Sequence, residues 1–504
     1  MTLTIGQIVD ACVRAQPHRP AATLGERTLT FAQLDAAANR VAHALQAAGI
    51  GRQDVVVWWS DPALRSLDVC VGAARAGALF APLNPLLPAG EIARITSYLQ
   101  PRLFVCDLAH AEAAAAICAE LGVPLAISGA ADLPGTAALP GLDFDALADA
   151  GSPAAPAIAV DDRDPHIVYL TSGSTGRPKG ALVSHRASWL RAAPGGGTFS
   201  RGVRGGGGVV TAFPLYHYGG WHYVLEAWQN RKPIHLVRRA TADEVLGAVT
   251  RWQASALYAI PAVWERILAS GAGTGPRSLA HADTGTSHTS AELLARIKQF
   301  LPQTRTTVLY GSTEVGRMAA LRDADIATHP GSVGQPATPG VLWTDPNTGE
   351  VCASSPTTMD GYLRLPEETA LALRDGVYHS GDVGHFDDEG FLYLTGRTKE
   401  LIRTGGESVW PVEVEQALRG LPGVADLAVI GVPDERWGEL VCAVFVPEPD
   451  APVPDLTLVA AHLDGRLARF KQPRLVASVA QIPRTTATGQ VQRRVLRDLI
   501  VAKR

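Results

Sequence analysis

HIVYLTSGSTGRPKGALVSH (His166–His185) changes character halfway along. His166 to Leu170 is apolar and β-branched enough to read as a strand, and it runs into a loop of Thr, Ser, Gly and one Lys. Glycines let the backbone approach an anion closely, hydroxyls and amides donate to phosphate oxygens, and Lys179 adds positive charge. The loop is not G-x-x-x-x-G-K-[ST], and no helix is required directly after it. A short Gly/Ser stretch alone reads equally as a polar surface turn. The full string Thr171–Gly180 favours a phosphate cradle.

Upstream of this loop, helical and strand periods alternate. Thr30 and Gln33 form a capping box, after which Phe31, Leu34, Val41 and Leu45 recur at helical spacing until Gly49. Val55–Trp59 reads as a buried strand and Ala63–Ala76 as a helix. Short apolar runs follow at Leu79–Leu83, Leu103–Cys106 and Val123–Ile127, with a helix Ala109–Leu121 between the last two. This alternation predicts a largely parallel sheet covered on both faces, with ligands at the carboxyl ends of its strands. A Pro/Ala/Asp-rich loop, Gly151–Pro165, leads into the phosphate loop. Gly195–Gly197 and Gly205–Gly208 read as a plain linker or a substrate-gating loop. After Glu350 the strands shorten (Phe391–Thr395, Leu427–Val432, Leu440–Val446, Leu475–Val479), with helices Val412–Arg419 and Leu456–Phe470, as in a small α+β domain.

The chain has 504 residues, too many for one core at about 150 residues per domain, so several lobes are expected. With 46% hydrophobic and 19% charged residues it is expected to be ordered, and a net charge of −4 gives no reason to expect nucleic acid as a partner. Six cysteines without a C-x-x-C pair fit reduced, packed thiols better than a disulfide frame or a zinc site. The N-terminus lacks a signal peptide's basic start and apolar core, and no apolar run reaches the roughly 18 residues of a membrane span. A cytoplasmic enzyme is expected.

Further motifs come in order: Pro214-Leu-Tyr-His-Tyr-Gly-Gly220, Tyr310-Gly-Ser-Thr-Glu-Val-Gly316, Tyr378-His-Ser-Gly-Asp382, Gly396-Arg-Thr-Lys-Glu-Leu-Ile402 and Gly405-Gly-Glu-Ser-Val-Trp-Pro-Val-Glu-Val-Glu415. Together with the loop, this series resembles the adenylate-forming superfamily of acyl- and aryl-CoA ligases, carrier-protein-loading adenylation domains and luciferases. The similarity runs from about Ala21 to Arg494. It implies an α/β fold: a large N-terminal multi-lobed α/β domain (1–397) and a smaller mobile α+β C-terminal domain (398–504). It also implies ATP, Mg²⁺ and coenzyme A.

By the same resemblance, Thr171, Ser172, Gly173, Ser174, Thr175, Gly176 and Lys179 hold phosphate. Tyr310, Gly311, Ser312 and Thr313 hold adenine and phosphate, Glu314 holds the metal, and Asp382 and Arg397 fix the ribose. His217, Tyr218, Trp221, Gly285, His288 and Gly311 line the acid pocket, with Trp228, His222 and Arg317 as further candidates. Lys399 is the hinge. Gly405 and Gly406 line the thiol channel, and Trp437 and Phe470 contact the CoA nucleotide. Activation of a carboxylate at the α-phosphate needs such a metal carboxylate and such donors. Read alone, Glu314 is also compatible with a solvated carboxylate, His217 with a packed histidine, Asp382 with a turn residue, Arg397 with a surface ion pair, and Trp437 and Phe470 with core aromatics.

Two departures stand out. The C-terminal motif reads Pro483-Arg-Thr-Thr-Ala-Thr-Gly-Gln490, with Gln490 where the family's catalytic lysine is expected. Gln donates a hydrogen bond but no charge, and losing such a donor costs on the order of 10²–10³ in rate. Either the lysine has been replaced by introduction of Gln, or the natural chemistry differs. In Ala282-Asp-Thr-Gly-Thr-Ser-His-Thr289, His288 stands where relatives have Pro. The leading expectation is an acid–CoA ligase for a small carboxylic acid, aromatic or short acyl. The enzyme alternatives donate the acyl group to an acyl carrier protein or activate nitrite. The alternative of another class binds nucleotide or acyl-AMP with little catalysis.

Overall fold

A computed structural model describes residues 2–129, 141–172, 178–193, 207–271, 273–337, 339–485 and 489–503. The chain divides into two compact units, Met1–Val341 with Ala353–Tyr378, and Leu342–Cys352 with His379–Arg504.

In the first unit, Thr30 accepts from the Gln33 amide and Gln33 returns the bond, so the expected capping box starts helix Phe31–Ala47. Phe31, Leu34, Val41 and Leu45 form its buried face. The helix expected from Ala63 begins at Arg65 and ends at Gly77, whose φ of 75° suits a residue without Cβ. Among the described residues an eight-stranded sheet runs Gly361–Tyr362, Pro178–Ser184, Pro165–Ser172, Leu79–Leu83, Val55–Trp59, Leu103–Asp107, Leu125–Ser128, Leu142–Asp143. Val55–Trp59 pairs in parallel with both neighbours and is buried at every position, as a strand covered on both faces must be. Pro165–Ser172 continues that sheet and returns antiparallel as Pro178–Ser184, so a strand, not a helix, follows the phosphate loop.

A second, nine-stranded sheet has Ala256–Tyr258, His281–Gly285 and Arg305–Ser312 as adjacent parallel strands. Their carboxyl ends present Tyr258, Gly285–Thr286 and Tyr310–Ser312 together, where open α/β sheets collect ligands.

The second unit takes in residues 350–352 of strand Glu350–Ser354, residues 379–386 of strand Val377–Phe386 and strand Leu392–Arg397, joined in one sheet, and a further sheet built on the long hairpin Val424–Asp434 with Gly438–Pro447. Residues 342–352 and 379–397 therefore pack with the chain beyond 398, upstream of the sequence-based boundary at 397/398. Sequence spacing could not show this, because the pairing of Glu350–Ser354 with Val377–Phe386 is non-local. The helix expected over Leu456–Phe470 stops at Leu463, where Asp464 turns extended and Gly465 takes φ 69°. No helix among the described residues is long and apolar enough to cross a membrane.

Candidate active site

The phosphate-loop residues Gly173, Ser174, Thr175 and Gly176 lie outside the described residues, as do Gly195–Gly197 and Gly205–Gly206. The two ends of the loop are described. Thr171 and Lys179 are register partners in the hairpin, and the Thr171 hydroxyl donates to the Lys179 carbonyl at 3.3 Å. The Lys179 ammonium pairs with Glu368 and sits 5.1 Å above the Tyr362 ring. The Tyr362 hydroxyl donates to Glu314 Oε1 at 2.7 Å, and the Tyr378 hydroxyl donates to Oε2 at 3.3 Å. The loop lysine and the candidate metal carboxylate thus share one tyrosine. Burial and the adjacent Glu314 push the Tyr362 phenol far above its usual value, so it stays a neutral donor.

Glu314 is set in the turn between strands Arg305–Ser312 and Gly316–Leu321. The Val315 amide donates to Ser312 Oγ, and Gly316 closes the turn with φ 90°; a Cβ there would lie 2.9 Å from the Tyr218 hydroxyl. Arg191 fixes the turn from behind. Its guanidinium is buried and donates to the carbonyls of Thr357, Thr313 and Glu314, and it covers the Tyr218 ring at 4.8 Å. Burial lowers the Arg191 pKa. A carboxylate held by two phenols on an immobilised turn is a hard oxygen donor with its orientation fixed, which fits Mg²⁺.

His217 stands at the N-cap of helix Tyr218–Gln229, its ring tilted against Phe213 and Tyr216. Burial lowers its pKa to about 4, so the imidazole is neutral, and Nε2 has no hydrogen-bond partner among the described residues. The next turns of the helix carry a polar cluster. Tyr218 OH lies 3.3 Å from His222 Nδ1, His222 Nε2 lies 3.4 Å from an Arg317 nitrogen, and Glu226 is 3.7 Å from His222. Tyr223 donates to Asp283 and stacks on Tyr258, 4.5 Å between centroids. Burial raises Glu226 to about 7 and Asp283 to about 6, opposed in each by the Arg317 charge. Thr286 is held at φ 73°, unusual for a β-branched residue, with its hydroxyl 2.6 Å from Tyr258 OH. A Cβ on Gly285 would meet the Leu309 carbonyl at 2.2 Å.

The other pocket candidates separate. Trp221 is a core residue, edge-on to Phe80, and Trp228 is fully buried, donating to the Ala21 carbonyl. His288 and Gly311 are exposed, and a Cβ on Gly311 would collide with the Gly316 carbonyl across the turn.

In the second unit Arg397 Nε donates to Asp382 Oδ1 at 2.8 Å, and these two are register partners. The Asp382 amide donates to Ser380 Oγ, and Thr398 Oγ1 donates to the Gly381 carbonyl, which ties the expected hinge to the ribose motif. Lys399 lies in the short 3₁₀ turn Thr398–Glu400, and its neighbour Glu400 pairs with Arg493. Gly405 takes φ 61° and donates to the Trp437 carbonyl, and a Cβ there would meet the Trp437 ring at 2.7 Å. The missing side chain at 405 thus makes room for Trp437, whereas a Cβ on Gly406 would meet nothing within 4 Å. The Arg474 guanidinium covers the Trp437 ring at 3.7 Å. Phe470 is partly exposed beside Lys471. Gln490 is held by its backbone: its amide donates to Thr485 Oγ1 and its carbonyl accepts from the Thr485 amide.

Arg191 and Tyr362 escaped the sequence reading, as did the bonding of Tyr378 to Glu314. Only a buried-charge argument marks Arg191, and burial is not visible in sequence.

Residues 9–363 match the model of the AMP-binding enzyme family and 413–489 match the AMP-binding enzyme C-terminal domain. The chain belongs to this family. It is 31% identical to an indoleacetate–CoA ligase of Aromatoleum aromaticum, covering 99% of each chain. It is 30% identical to the fatty acid–[acyl-carrier-protein] ligase ScoC of Streptomyces coeruleorubidus, covering 98% of this chain and 96% of the relative. Among solved structures, ATP-bound MatB from Rhodopseudomonas palustris superimposes with a TM-score of 0.86 at 28% identity, covering 99% of both chains.

Proposed function

We propose that the chain is an ATP-dependent carboxylic acid–CoA ligase. The acid attacks the α-phosphate of ATP to give acyl-AMP and pyrophosphate, and the CoA thiol then displaces AMP with loss of its proton. The observation that carries this reading is the bridge Lys179–Tyr362–Glu314, which joins the phosphate loop to a metal-ready carboxylate. Glu314 would hold Mg²⁺, which would supply neutralisation of the triphosphate charge. Thr171 to Lys179 cradles the phosphates, Tyr310 to Thr313 flank the nucleotide, and Asp382 and Arg397 take the ribose.

The acid is small, aromatic or short acyl, and His217 with its aromatic neighbours Phe213 and Tyr216 forms its wall. Gly405, Gly406, Trp437 and Phe470 serve the thiol, Lys399 is the pivot, and the domains alternate about 397/398. Gln490 occupies the catalytic-lysine position and slows acid activation. The similarity to ScoC supports a second acceptor, an acyl carrier protein.

Pyrophosphate release with a panel of carboxylic acids, compared between this chain and Gln490→Lys, tests the reading. A gain of about 10²–10³ is expected in the Lys variant. Equal rates would remove Gln490 from the chemistry, and no release from either chain with any acid would overturn the ligase. Saturation by CoA separates it from carrier loading.

A further inference from the structure

Glu350, Cys352 and His379 bring a carboxylate, a thiol and an imidazole to one point in the second unit, with their ligand atoms within 4.8 Å of one another. Glu350 and Cys352 are two apart on strand Glu350–Ser354 and so share a face, while His379 comes from the adjoining strand Val377–Phe386. His379 Nδ1 lies 3.0 Å from Glu350 Oε2 and 3.6 Å from Cys352 Sγ. The sulfur is also 3.6 Å from the Glu350 carbonyl.

The donor set is that of a borderline transition metal, and the ligand atoms stand close enough to share one ion. With metal–sulfur at about 2.3 Å and metal–nitrogen and metal–oxygen at about 2.0–2.1 Å, tetrahedral ligands stand about 3.6 Å (S to N) and about 3.3 Å (N to O) apart. The observed separations are 3.6 and 3.0 Å. Sulfur and imidazole exclude Mg²⁺ as the natural occupant and favour Zn²⁺ or Co²⁺. An outer layer is in place as well: Glu350 Oε1 accepts from the Gly381 amide at 2.9 Å, leaving Oε2 turned toward the imidazole. Cys352 is buried, whereas the side chains of Glu350 and His379 are 15% and 16% exposed, so a water can complete a fourth position from their side.

We propose that Glu350, Cys352 and His379 form a site for a zinc-class divalent cation, separate from the magnesium carboxylate. Binding forms a bond from metal to Cys352 Sγ and releases the thiol proton to solvent. The metal has a positioning role. It braces Glu350 and His379, and through the Gly381 amide it steadies the turn that carries Asp382. The scattering of the cysteines hid the site, since one ligand comes from each residue type and His379 is 27 residues beyond Cys352.

Cobalt titration of the full chain tests the proposal. The expected result is one Co²⁺ per chain with a thiolate-to-cobalt charge-transfer band that Zn²⁺ abolishes by displacement. The band should vanish in Cys352→Ser, and affinity should fall about tenfold or more in His379→Gln. Zn²⁺ should raise the melting temperature of the full chain and leave that of Cys352→Ser unmoved. Cys12, Cys70, Cys106, Cys118 and Cys442 are internal controls, since among the described residues none of them stands with two further ligand side chains. A saturated full chain without the band, or a band undiminished in a Cys352→Ser variant of native circular dichroism, overturns the site. Loss of fold in Cys352→Ser shifts the decision to His379→Gln and Glu350→Gln, where unchanged cobalt affinity in both also overturns it.

Discussion

Removing one oxygen atom from Tyr362 is the most direct probe of the proposed metal role of Glu314. The Tyr362→Phe ring keeps the surface over which Lys179 sits, so the loop lysine retains its 5.1 Å contact. The 2.7 Å bond to Glu314 Oε1 disappears, leaving the carboxylate with the longer 3.3 Å bond from Tyr378. A hydrogen bond to a charged acceptor is worth about 1.5–3 kcal/mol, which corresponds to about 10–150-fold. Loss of a partner that orients a metal ligand costs about 10–100-fold in metal affinity, so the two scales agree. The assay is calorimetric titration of ATP into the full chain with Mg²⁺ and again with a chelator, which needs no turnover. ATP affinity in Mg²⁺ should fall about 10–100-fold in Tyr362→Phe, and the difference should shrink to within about twofold when Mg²⁺ is removed. Equal losses in both conditions, or none in either, would refute Glu314 as the metal carboxylate.

The same geometry sets other outcomes. Asp382→Asn removes the charge that Arg397 contacts at 2.8 Å, and ATP affinity measured by calorimetry should drop by about 1.5–3 kcal/mol. Burial raises Glu226 from 4.5 to about 7, so between those values the folded chain holds a proton that the unfolded chain has released. Stability therefore falls as pH rises through that window, and Glu226→Gln should flatten the fall by up to about 3 kcal/mol in denaturant melts at pH 5 and pH 8. Gly405→Ala must push Trp437 aside and hold φ 61°, whereas Gly406→Ala meets only the left-handed backbone cost of about 1–2 kcal/mol. The first should lower the melting temperature further and slow thioester formation from added acyl-AMP more than the second.

Features that depend on neighbours in sequence were legible. Thr30 and Gln33 announced a helix start because both partners lie within one turn, and Val55–Trp59 announced a doubly covered strand because each residue is apolar. The loop string and the motifs around Glu314 and Asp382 were legible as an ordered series. The contacts that hold Glu314 were not. Tyr362 reaches Glu314 across 48 residues, Tyr378 across 64, and Arg191 across 123, and no local pattern encodes such pairings. On helix Tyr218–Gln229 the resemblance marked Tyr218 and His222 as pocket candidates, but it did not mark Glu226 or Asp283. The charges on the helix become informative only once Asp283 and Arg317 close around them. Leu456–Phe470 failed at its end for a local reason, since apolar spacing continues past Leu463 although Gly465 has already turned the chain.

With Lys179 serving the phosphates as proposed, its pairing with Glu368 has a thermodynamic consequence for the nucleotide. Any phosphate oxygen that claims the ammonium must evict a carboxylate already bound to it, so binding is an exchange of anions rather than the capture of one. Such an exchange conserves ion pairs at this lysine, and its dependence on ionic strength should be shallower than the charge of a triphosphate suggests. Neutralising Glu368 would therefore tighten the resting grip on nucleotide and, by the same amount, hold back the pyrophosphate that has to leave.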